Sequence, residues 1–473
     1  MGPARRREAL SRPDALALLA RWHSPDDARM RERGEIYTPP ALVEAMLDAL
    51  PPRVWRDPGL AWLDPAAGCG VFHAMIFFRL MRGLAAAIPS AAARRRHILT
   101  RMLHAVEIDP LNADRYDELA ALLMGGGGRP RPAHRGDYLA WEGEGPYDVV
   151  VGNPPYNVGG FAKGGAFWVS YWVPFVTGSA ARLRDGGLLA MVHPPGWRKP
   201  AGETRSSGDV WSLFRRAGAL LRLRADDTRA PPFPEVDWYV WQKGGGRRRS
   251  TLAGGVFLGT PFSARVALGA LPFLPSRLDA PAVGLVRQVL AGPGEPTYAF
   301  RRDNRFRFPA ASAPRGAGRV DHAHYWDGGA YRMLGLGGDQ MRAMYQGDPP
   351  AHLSRRKVVM TFNAPREPGM LYPVHFRPGR RVGVTTNMMY QEMASAPEAE
   401  ACVALWSSRL ARALMLLCQY SAPPNRKNDI KVVNLVRAPP PGGAGSEEAL
   451  ERYYGVTPEQ SRMILAVVAA SSR

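Results

Sequence analysis

Three β-branched residues, Val149 to Val151, lead directly into Gly152 and the tetrapeptide Asn153-Pro154-Pro155-Tyr156. The apolar run predicts the end of a buried strand, and Gly152 allows the backbone to turn there. Two consecutive prolines then fix an extended, rigid loop. Because open α/β sheets bind ligands beyond the carboxyl ends of their strands, Asn153 and Tyr156 are predicted to face a binding site.

The tetrapeptide is similar to the motif of S-adenosylmethionine-dependent methyltransferases that modify an amino nitrogen conjugated to a planar π system. The chain resembles the gamma class of DNA adenine-N6 methyltransferases of type II and type IIG restriction–modification systems. The resemblance implies that the Asn153 side-chain oxygen and the Pro154 carbonyl accept the two N–H bonds of the target, and that the base stacks on Tyr156. Positioning and fixed dipoles then supply most of the catalysis, and the base must be flipped out of the duplex.

Upstream, Thr38 is a predicted helix N-cap and Pro39 a predicted first-turn residue, ahead of an apolar helical face. In gamma-class enzymes the matching segment precedes the first strand and contacts the methionine part of the cofactor. The resemblance therefore implies cofactor contacts for Tyr37, Thr38 and Pro39.

Residues 61–72 predict a strand, a Gly-rich loop and a helix, and small residues there let the backbone approach a ligand closely. The loop lacks the Gly-x-x-x-x-Gly-Lys-Ser/Thr pattern of a phosphate-binding P-loop. It resembles the cofactor motif of the family, which implies cofactor contacts for Asp64, Pro65, Ala66, Gly68, Gly70 and Phe72.

Residues 103–109 predict a second strand that ends in acidic residues. A carboxylate at that place can accept hydrogen bonds from both hydroxyls of a ribose. The order along the chain favours Glu107 for this role, with Ile108 beside it in the cofactor site. Asp109 is the alternative ribose ligand, or the cap of the helix that comes after it. By resemblance, Asp137 binds the adenine amino group of the cofactor and Tyr138 lines that pocket.

Two further segments lie downstream of the tetrapeptide. His193 ends a predicted buried strand and is interpreted as structural, because methyl transfer needs no positioned imidazole. In the adenine enzymes an aromatic residue before a later strand sandwiches the flipped base. Phe233 is the best match and Trp238 the alternative, although a core position fits an aromatic residue equally well.

The second half of the chain is strongly basic. The whole chain of 473 residues has a formal net charge of +20, and residues 251–440 contain 24 Lys and Arg against 12 Asp and Glu, a net of +12. Such an excess indicates a polyanionic partner, most simply nucleic acid. The helix, the loop Asn425-Arg426-Lys427-Asn428 and the short strand that end this part resemble the target-recognition domain of type IIG enzymes. Ser407-Ser408 stands where those enzymes usually have Asn-Ser.

The predicted fold is a doubly wound, Rossmann-like α/β methyltransferase sheet with a C-terminal α+β target-recognition domain. Four segments are predicted: a basic helical extension (1–34), the methyltransferase domain (35–246), the recognition domain (251–440) and a helical tail (447–473). The predicted function is site-specific adenine-N6 methylation of double-stranded DNA with S-adenosylmethionine. Cytosine-N4 methylation, methylation of a protein glutamine and a DNA-binding module with an inactive catalytic fold are the alternatives.

Other classes of function are not expected. Cys69, Cys402 and Cys418 lie too far apart for a disulfide framework or a metal site, which indicates a reducing intracellular compartment. The sequence contains no run long and apolar enough for a membrane span, and its basic start lacks a signal-peptide core. Because only 34 residues precede the first cofactor motif, too few for a nuclease domain, the chain is expected not to cleave DNA. A monomer is expected, with a separate cognate restriction endonuclease as an optional partner.

Overall fold

The structure is a computed structural model that describes residues 9–22, 38–126, 128–156, 171–201, 208–226, 236–244, 250–303, 321–326, 331–336, 351–361, 368–378, 382–384, 388–420, 429–443 and 445–471. The chain divides into two compact units. Unit 1 comprises Met1–Trp197, Ala201–Gly254 and Ala267–Ala270. Unit 2 comprises Arg198–Pro200, Gly255–Val266 and Leu271–Arg473.

Unit 1 is built around a sheet whose strands are β1 (Trp62–Asp64), β2 (Leu103–Glu107), β3 (His134–Arg135), β4 (Tyr147–Gly152), β5 (Leu183–His193), β6 (Gly218–Asp226) and β7 (Asp237–Lys243). Their spatial order is β3-β2-β1-β4-β5-β7-β6. The first five strands pair in parallel, whereas β7 is antiparallel to both β5 and β6. The strand order reverses between β1 and β4, so a doubly wound sheet has its binding crevice beyond the carboxyl ends of these two strands.

Helices cover the sheet of unit 1. They are α1 (Arg12–Trp22), α2 (Pro40–Asp48), α3 (Val71–Gly83), α4 (Ala91–His97), α5 (Pro110–Met124), α6 (Trp172–Arg182) and α7 (Asp209–Ala217), with short 3-10 helices at Pro52–Trp55 and Pro195–Arg198 and a π-helix at Ile98–Met102. β1, β2 and β4 are buried along their whole length, because helices on both faces of a parallel sheet exclude water. The described part of the N-terminal extension packs into this unit: Ala15 and Leu19 of α1 belong to its core.

Unit 2 is an α+β arrangement with two three-stranded sheets among its described residues. One has the order β11-β10-β14 and the other β13-β12-β15. The strands that follow β7 along the chain are β8 (Thr251–Phe257), β9 (Thr260–Val266), β10 (Asp321–Trp326), β11 (Tyr331–Leu336), β12 (Lys357–Thr361), β13 (Val374–Phe376), β14 (Val382–Val384) and β15 (Met388–Glu392), with a 3-10 helix at Ala351–Ser354.

The helices of unit 2 are α8 (Ala280–Val289), α9 (Ala396–Ser407), α10 (Arg409–Leu417), α11 (Ile430–Val433), α12 (Glu447–Tyr454) and α13 (Pro458–Ala470). The predicted tail is helical, and α13 packs against α8 and α10. The predicted helix ahead of the loop 425–428 consists of two helices, α9 and α10, which meet at Ser408. The Ser408 hydroxyl donates to the Leu405 carbonyl and accepts from the Ala411 N–H, and so caps α10. The predicted final strand consists of isolated bridges at Val436 and Arg437, and the loop 425–428 lies outside the described residues.

Candidate functional site

Three polar residues lie at the carboxyl ends of neighbouring parallel strands. Asp64 ends β1, Glu107 ends β2, and Asn153 comes directly after the last residue of β4. Because β1 lies between β2 and β4 in the sheet, all three residues lie at one edge, where the strand order reverses. This edge is the candidate active site.

Asp64 is completely buried and only half satisfied. Its Oδ1 accepts the Ala66 N–H at 3.1 Å, whereas its Oδ2 has no hydrogen-bond partner among the residues that the structure describes. Burial raises the pKa of Asp64 to about 8; the Ala66 bond works against this shift, and the nearby charge of Glu107 adds to it. The carboxyl group is therefore largely neutral at pH 7, and a positively charged ligand beside it would favour its ionised form.

Gly152 allows the end of β4 to approach Asp64 closely. A Cβ at Gly152 would lie 2.8 Å from the Asp64 Oδ1 and 3.3 Å from the Pro65 side chain. Any larger residue would displace the backbone just before Asn153. The glycine is therefore required by close packing at the site.

The Gly-rich loop after β1 adopts conformations that favour glycine. Gly68 has φ of +54° and Gly70 has φ of +93°. A Cβ at Gly70 would lie 2.9 Å from the Tyr116 ring, whereas a Cβ at Gly68 would meet no described atom within 4 Å. The Gly68 backbone therefore borders open space that a ligand can occupy. Pro65 is buried and Ala66 half-buried in the same loop.

Glu107 and Asp109, the two ribose candidates, have different partners. The Glu107 carboxylate accepts the Gly68 N–H at 2.7 Å and the Asp109 N–H at 2.8 Å. Asp109 instead caps α5, since its Oδ1 accepts the N–H groups of Leu111 and Asn112, both at 3.0 Å. Each carboxylate oxygen has two lone pairs, so Glu107 can accept further bonds while it holds the loop.

Three large apolar side chains that follow β2 and β3 along the chain are exposed. Ile108 is 67% exposed, Leu111 41% and Leu139 37%, which is unusual for large apolar side chains and suits a flat apolar ligand. The Asp137 Oδ1 accepts the Leu139 N–H at 2.9 Å, and the turn leaves Leu139 outside the core.

Two residues predicted to contact the cofactor are almost completely buried, and their contact with it stays a prediction. Tyr138 is 2% exposed, and its hydroxyl bonds to the Ser179 hydroxyl at 3.0 Å; the exposed neighbour at this turn is Leu139. Phe72 is also 2% exposed and packs in the main core of unit 1, because it lies on the sheet-facing side of α3.

Asn153 is joined to Thr38. The Asn153 Nδ2 donates to the Thr38 Oγ1 at 3.0 Å, across 115 residues of sequence. The prediction that Thr38 caps α2 is wrong: the N-cap is Pro39, with no side-chain cap bond, and Pro40 begins the helix. Thr38 therefore lies one residue too early to cap, and its hydroxyl faces the tetrapeptide instead.

The rest of the tetrapeptide is well packed. Pro154 is buried, Pro155 is half-buried and Tyr156 is 6% exposed. The Tyr156 carbonyl accepts the Tyr171 N–H at 3.0 Å. This bond ties the end of the tetrapeptide to the residue that precedes α6.

The aromatic candidates downstream are only partly described. Trp238 is 8% exposed and belongs to the core of unit 1, while Phe233 and Tyr37 lie outside the described residues and stay predictions. His193 is fully buried and stacks on Trp172 with ring centroids 4.0 Å apart. Burial lowers its pKa to about 3, so the ring is neutral, in agreement with a structural role.

Metal sites, disulfides and membrane spans are absent from the described residues. In the described part of the chain no three His, Cys, Asp or Glu side chains are grouped to hold a metal ion. The three cysteines are buried, and none of them forms a disulfide. None of the described helices is both long and apolar enough to cross a membrane.

A stretch of 96 residues is 43% identical to an uncharacterized adenine-specific methylase from Mycoplasma pneumoniae. The match covers 19% of this chain and 23% of that protein, so it spans less than a quarter of the relative's length. No family model matches the chain.

Solved structures of restriction–modification enzymes resemble the chain. The type IIL restriction–modification enzyme MmeI, in complex with DNA, matches with a TM-score of 0.50 at 12% identity, over 94% of this chain and 76% of that chain. A modification subunit of a putative type I restriction enzyme from Vibrio vulnificus matches with a TM-score of 0.39 at 19% identity, over 52% of this chain and 51% of that chain. The match to MmeI shows a shared fold and, with the strand order, confirms the predicted fold class.

Proposed function

We propose that the chain is a DNA adenine-N6 methyltransferase of the restriction–modification kind that uses S-adenosylmethionine. The observation that carries the proposal is the placement of Asp64, Glu107 and Asn153 at the edge where the strand order reverses, with Asn153 opening the Asn-Pro-Pro-Tyr tetrapeptide. The similarity to an adenine-specific methylase supports adenine as the target.

The described residues fit the three parts of S-adenosylmethionine. Asp64, with an oxygen that has no described partner, suits the positively charged methionine part beside the loop through Pro65, Ala66, Gly68 and Gly70. Glu107 suits the ribose hydroxyls. Ile108 and Leu139 suit the faces of the adenine, and Asp137 its amino group. When bound, S-adenosylmethionine supplies an electrophilic methyl group.

The tetrapeptide activates the target nitrogen. The lone pair of an adenine amino group is drawn into the ring, which makes the nitrogen a poor nucleophile. When the Asn153 Oδ1 and the Pro154 carbonyl accept its two N–H bonds, the nitrogen moves toward a tetrahedral shape and its lone pair becomes available. These acceptors are fixed before the substrate arrives, so they need no reorganisation during the reaction. Tyr156 offers its ring to the flipped base.

Unit 2 is proposed to read the DNA sequence, within the segment 251–440. The net charge of +12 over residues 251–440 suits contacts to phosphates, which position a protein on DNA. Arg, Lys and Asn side chains that reach base edges specify the sequence. The catalytic segment is proposed to be 35–246. A separate restriction endonuclease is a proposed partner.

Methyl transfer decides the proposal. The whole chain is incubated with labelled S-adenosylmethionine and duplex DNA, and sequencing that detects modified bases is applied to DNA from cells that express the chain. We expect N6-methyladenine in one sequence context. Label on the N4 of cytosine would instead indicate a cytosine-N4 methyltransferase, and label in a glutamine-containing protein would indicate a protein glutamine methyltransferase. DNA binding that needs no cofactor and is not followed by transfer would indicate a DNA-binding module with an inactive catalytic fold.

The recognition loop has its own test. Arg426 and Lys427 are changed together to Ala, with Arg95 and Arg96 of α4 as a matched pair of adjacent basic residues in unit 1. We expect only the first pair to weaken DNA binding and to flatten its salt dependence, by roughly 0.9 log–log units for each lost phosphate contact. Equal effects of the two pairs would contradict the assignment of recognition to unit 2.

A further inference from the structure

The hydrogen bond between Asn153 and Thr38 connects the proposed catalytic amide to a segment far away in sequence. The Thr38 Oγ1 lies 3.0 Å from the Asn153 Nδ2, and Thr38 is 4% exposed. The Thr38 hydroxyl accepts from the amide NH2 group in a buried site, where a hydrogen bond is electrostatically stronger than in water. The bond therefore acts on the orientation of the amide.

The orientation of that amide matters for the proposed reaction. An asparagine presents an acceptor at one end and two donors at the other. The target amino group brings N–H donors, so only the carbonyl end of Asn153 is useful to it. If the amide turned over, the NH2 group of Asn153 would face the N–H donors of the target amino group, and no hydrogen bond could form between them. Because the Thr38 Oγ1 accepts from the Asn153 Nδ2, the donor end of the amide lies on the Thr38 side and the carbonyl end points away from it.

The backbone on the C-terminal side of Thr38 is rigid and well packed. Pro39 and Pro40 fix the backbone at the start of α2, and Val43, Met46 and Leu47 of that helix are fully buried. Such a packed support is needed by a positioning side chain, because small displacements at a reacting centre are costly.

Ion pairs secure the other face of α2. Its Glu44 pairs with Arg12 of α1 and with Arg79 of α3, and Asp48 pairs with Arg79 at 2.7 Å. The described part of the N-terminal extension thus helps to fix the helix that follows Thr38.

We infer that Thr38 is a positioning residue that acts through Asn153 by selecting the amide orientation that can accept from the target amino group. The inference rests on the proposed function for its effect on catalysis. It differs from the role that the sequence predicts for Thr38, which is direct contact with the cofactor.

The test compares three variants of the whole chain. Thr38→Val keeps the shape but removes the acceptor, Thr38→Ala removes it with less bulk, and Thr38→Ser retains the hydroxyl. We expect Val and Ala to lower kcat about 10- to 100-fold, with the Kd for S-adenosylmethionine from calorimetry within about twofold of wild type. Ser should restore kcat to within about threefold. An unchanged kcat in the Val and Ala variants would overturn the inference, as would a raised Kd with normal kcat, which would mean cofactor contact.

A measurement without turnover separates this inference from the proposed function. With asparagine labelled by ¹⁵N, we expect the Asn153 side-chain NH2 protons to exchange slowly in wild type and Thr38→Ser, and rapidly in Thr38→Val and Thr38→Ala. Equal exchange in all four proteins would overturn the inference whatever the activity. If wild type shows the protected NH2 group but transfers no methyl to DNA, the proposed function fails and the Thr38–Asn153 contact stands.

Discussion

Asp64 in unit 1 and Lys357 in unit 2 are both ionisable side chains with no exposed surface, yet their surroundings differ. The Asp64 Oδ2 has no hydrogen-bond partner among the described residues. The Lys357 Nζ donates to the carbonyls of His352 at 2.8 Å and Leu353 at 3.2 Å. Buried polar groups normally have hydrogen-bond partners. The missing partner of the Asp64 Oδ2 therefore favours a ligand site, whereas the two carbonyl partners of the Lys357 Nζ indicate a structural contact.

The neighbours of Lys357 are joined to one another within unit 2. The His352 Nε2 lies 2.9 Å from the Asp303 Oδ2, and the His352 ring stacks on Tyr390 at 4.2 Å. These groups connect residues near 303 to the 3-10 helix at 351–354 and to β15. Changes in this cluster should alter stability, whereas changes at the edge near Asp64 should alter binding and catalysis.

The largest effect is expected at the tetrapeptide. Asn153→Ala removes one of two acceptors for the target amino group, and the loss of one fixed polar group in such a site costs about 10²- to 10³-fold in rate. The Kd for the cofactor should change by less than about twofold, because Asn153 faces the substrate. Methyl transfer and calorimetry on the same preparations measure both.

Asn434 of unit 2 offers a matched control for Asn153. Its side chain bonds the Phe300 backbone through both Oδ1, at 2.8 Å, and Nδ2, at 3.0 Å. Asn434→Ala should lower stability and leave the rate of the folded protein nearly normal. Near-normal turnover by Asn153→Ala would remove the contrast between the two regions.

The edge of the unit 1 sheet could be predicted from the sequence because a parallel buried strand leaves a clear apolar run that ends in a polar residue. The carboxyl ends of such strands must meet at one edge, so the placement of Asp64, Glu107 and Asn153 could be inferred from their order. The N-cap position was missed, although Pro39-Pro40 carried a signal: a proline in the first helical position puts the cap one residue after Thr38.

Other features depended on contacts that a sequence pattern does not encode. Tyr138 and Leu139 are adjacent and both apolar, and the turn at Asp137 decides which one faces outward. The helix break at Ser408 arises from a local side-chain bond. In unit 2, β10 pairs with β14 and β12 with β15 across intervening segments, so the resemblance predicted an α+β domain there but not the pairing of its strands.

The second prediction separates the two acids near the end of β2. Glu107→Gln keeps an acceptor but loses the charge, and charged hydrogen bonds contribute about 1.5–3 kcal/mol each. We expect the Kd for the cofactor to rise about 10- to 100-fold by calorimetry. Asp109→Asn, which keeps a capping oxygen for α5, should change the Kd by less than about threefold. The reverse order would move the ribose site to Asp109.

The third prediction concerns pH and the cofactor. The pKa of Asp64 is raised to about 8, so below that pH a cationic cofactor must displace a proton to meet the carboxylate. The nearby charge of Glu107 adds to the rise in the pKa of Asp64. Burial lowers the pKa of His73 to about 3, so that ring stays neutral. Affinity should therefore rise up to tenfold per pH unit toward pH 8 and then level off.

Calorimetry in two buffers of different ionisation enthalpy measures the proton released on cofactor binding. Asp64→Asn should release none and should bind with an affinity that is flat between pH 6 and 8. A wild-type affinity that is equally flat would show that the cofactor does not interact with Asp64, and the contrast with Lys357 would then concern packing alone.

The last prediction, with the smallest effect, concerns stability and brings the two buried groups together. Burial lowers the pKa of Lys357 from 10.5 to about 7, against the charges of Glu392 and Asp303. Between these values the unfolded chain binds more protons than the folded one, so the free energy of unfolding rises with pH. The pKa of Asp64 is raised from 3.8 to about 8, so its contribution falls as pH rises across that window.

The two contributions therefore oppose each other near pH 7 to 8, and between pH 8 and 9 only that of Lys357 continues. Above pH 9 the buried thiols of Cys402 and Cys418, whose pKa values burial raises, oppose it. We expect urea unfolding, followed by tryptophan fluorescence from pH 5 to 9, to show a rise between pH 8 and 9 of at most about 1.4 kcal/mol. Lys357→Met should lose this rise and keep the cofactor affinity of wild type, whereas Asp64→Asn should keep the rise and lose the fall at lower pH. If Lys357→Met unfolds with the wild-type pH dependence, the lysine is not held in the neutral, carbonyl-bonded state, and unit 2 offers no structural counterpart to Asp64.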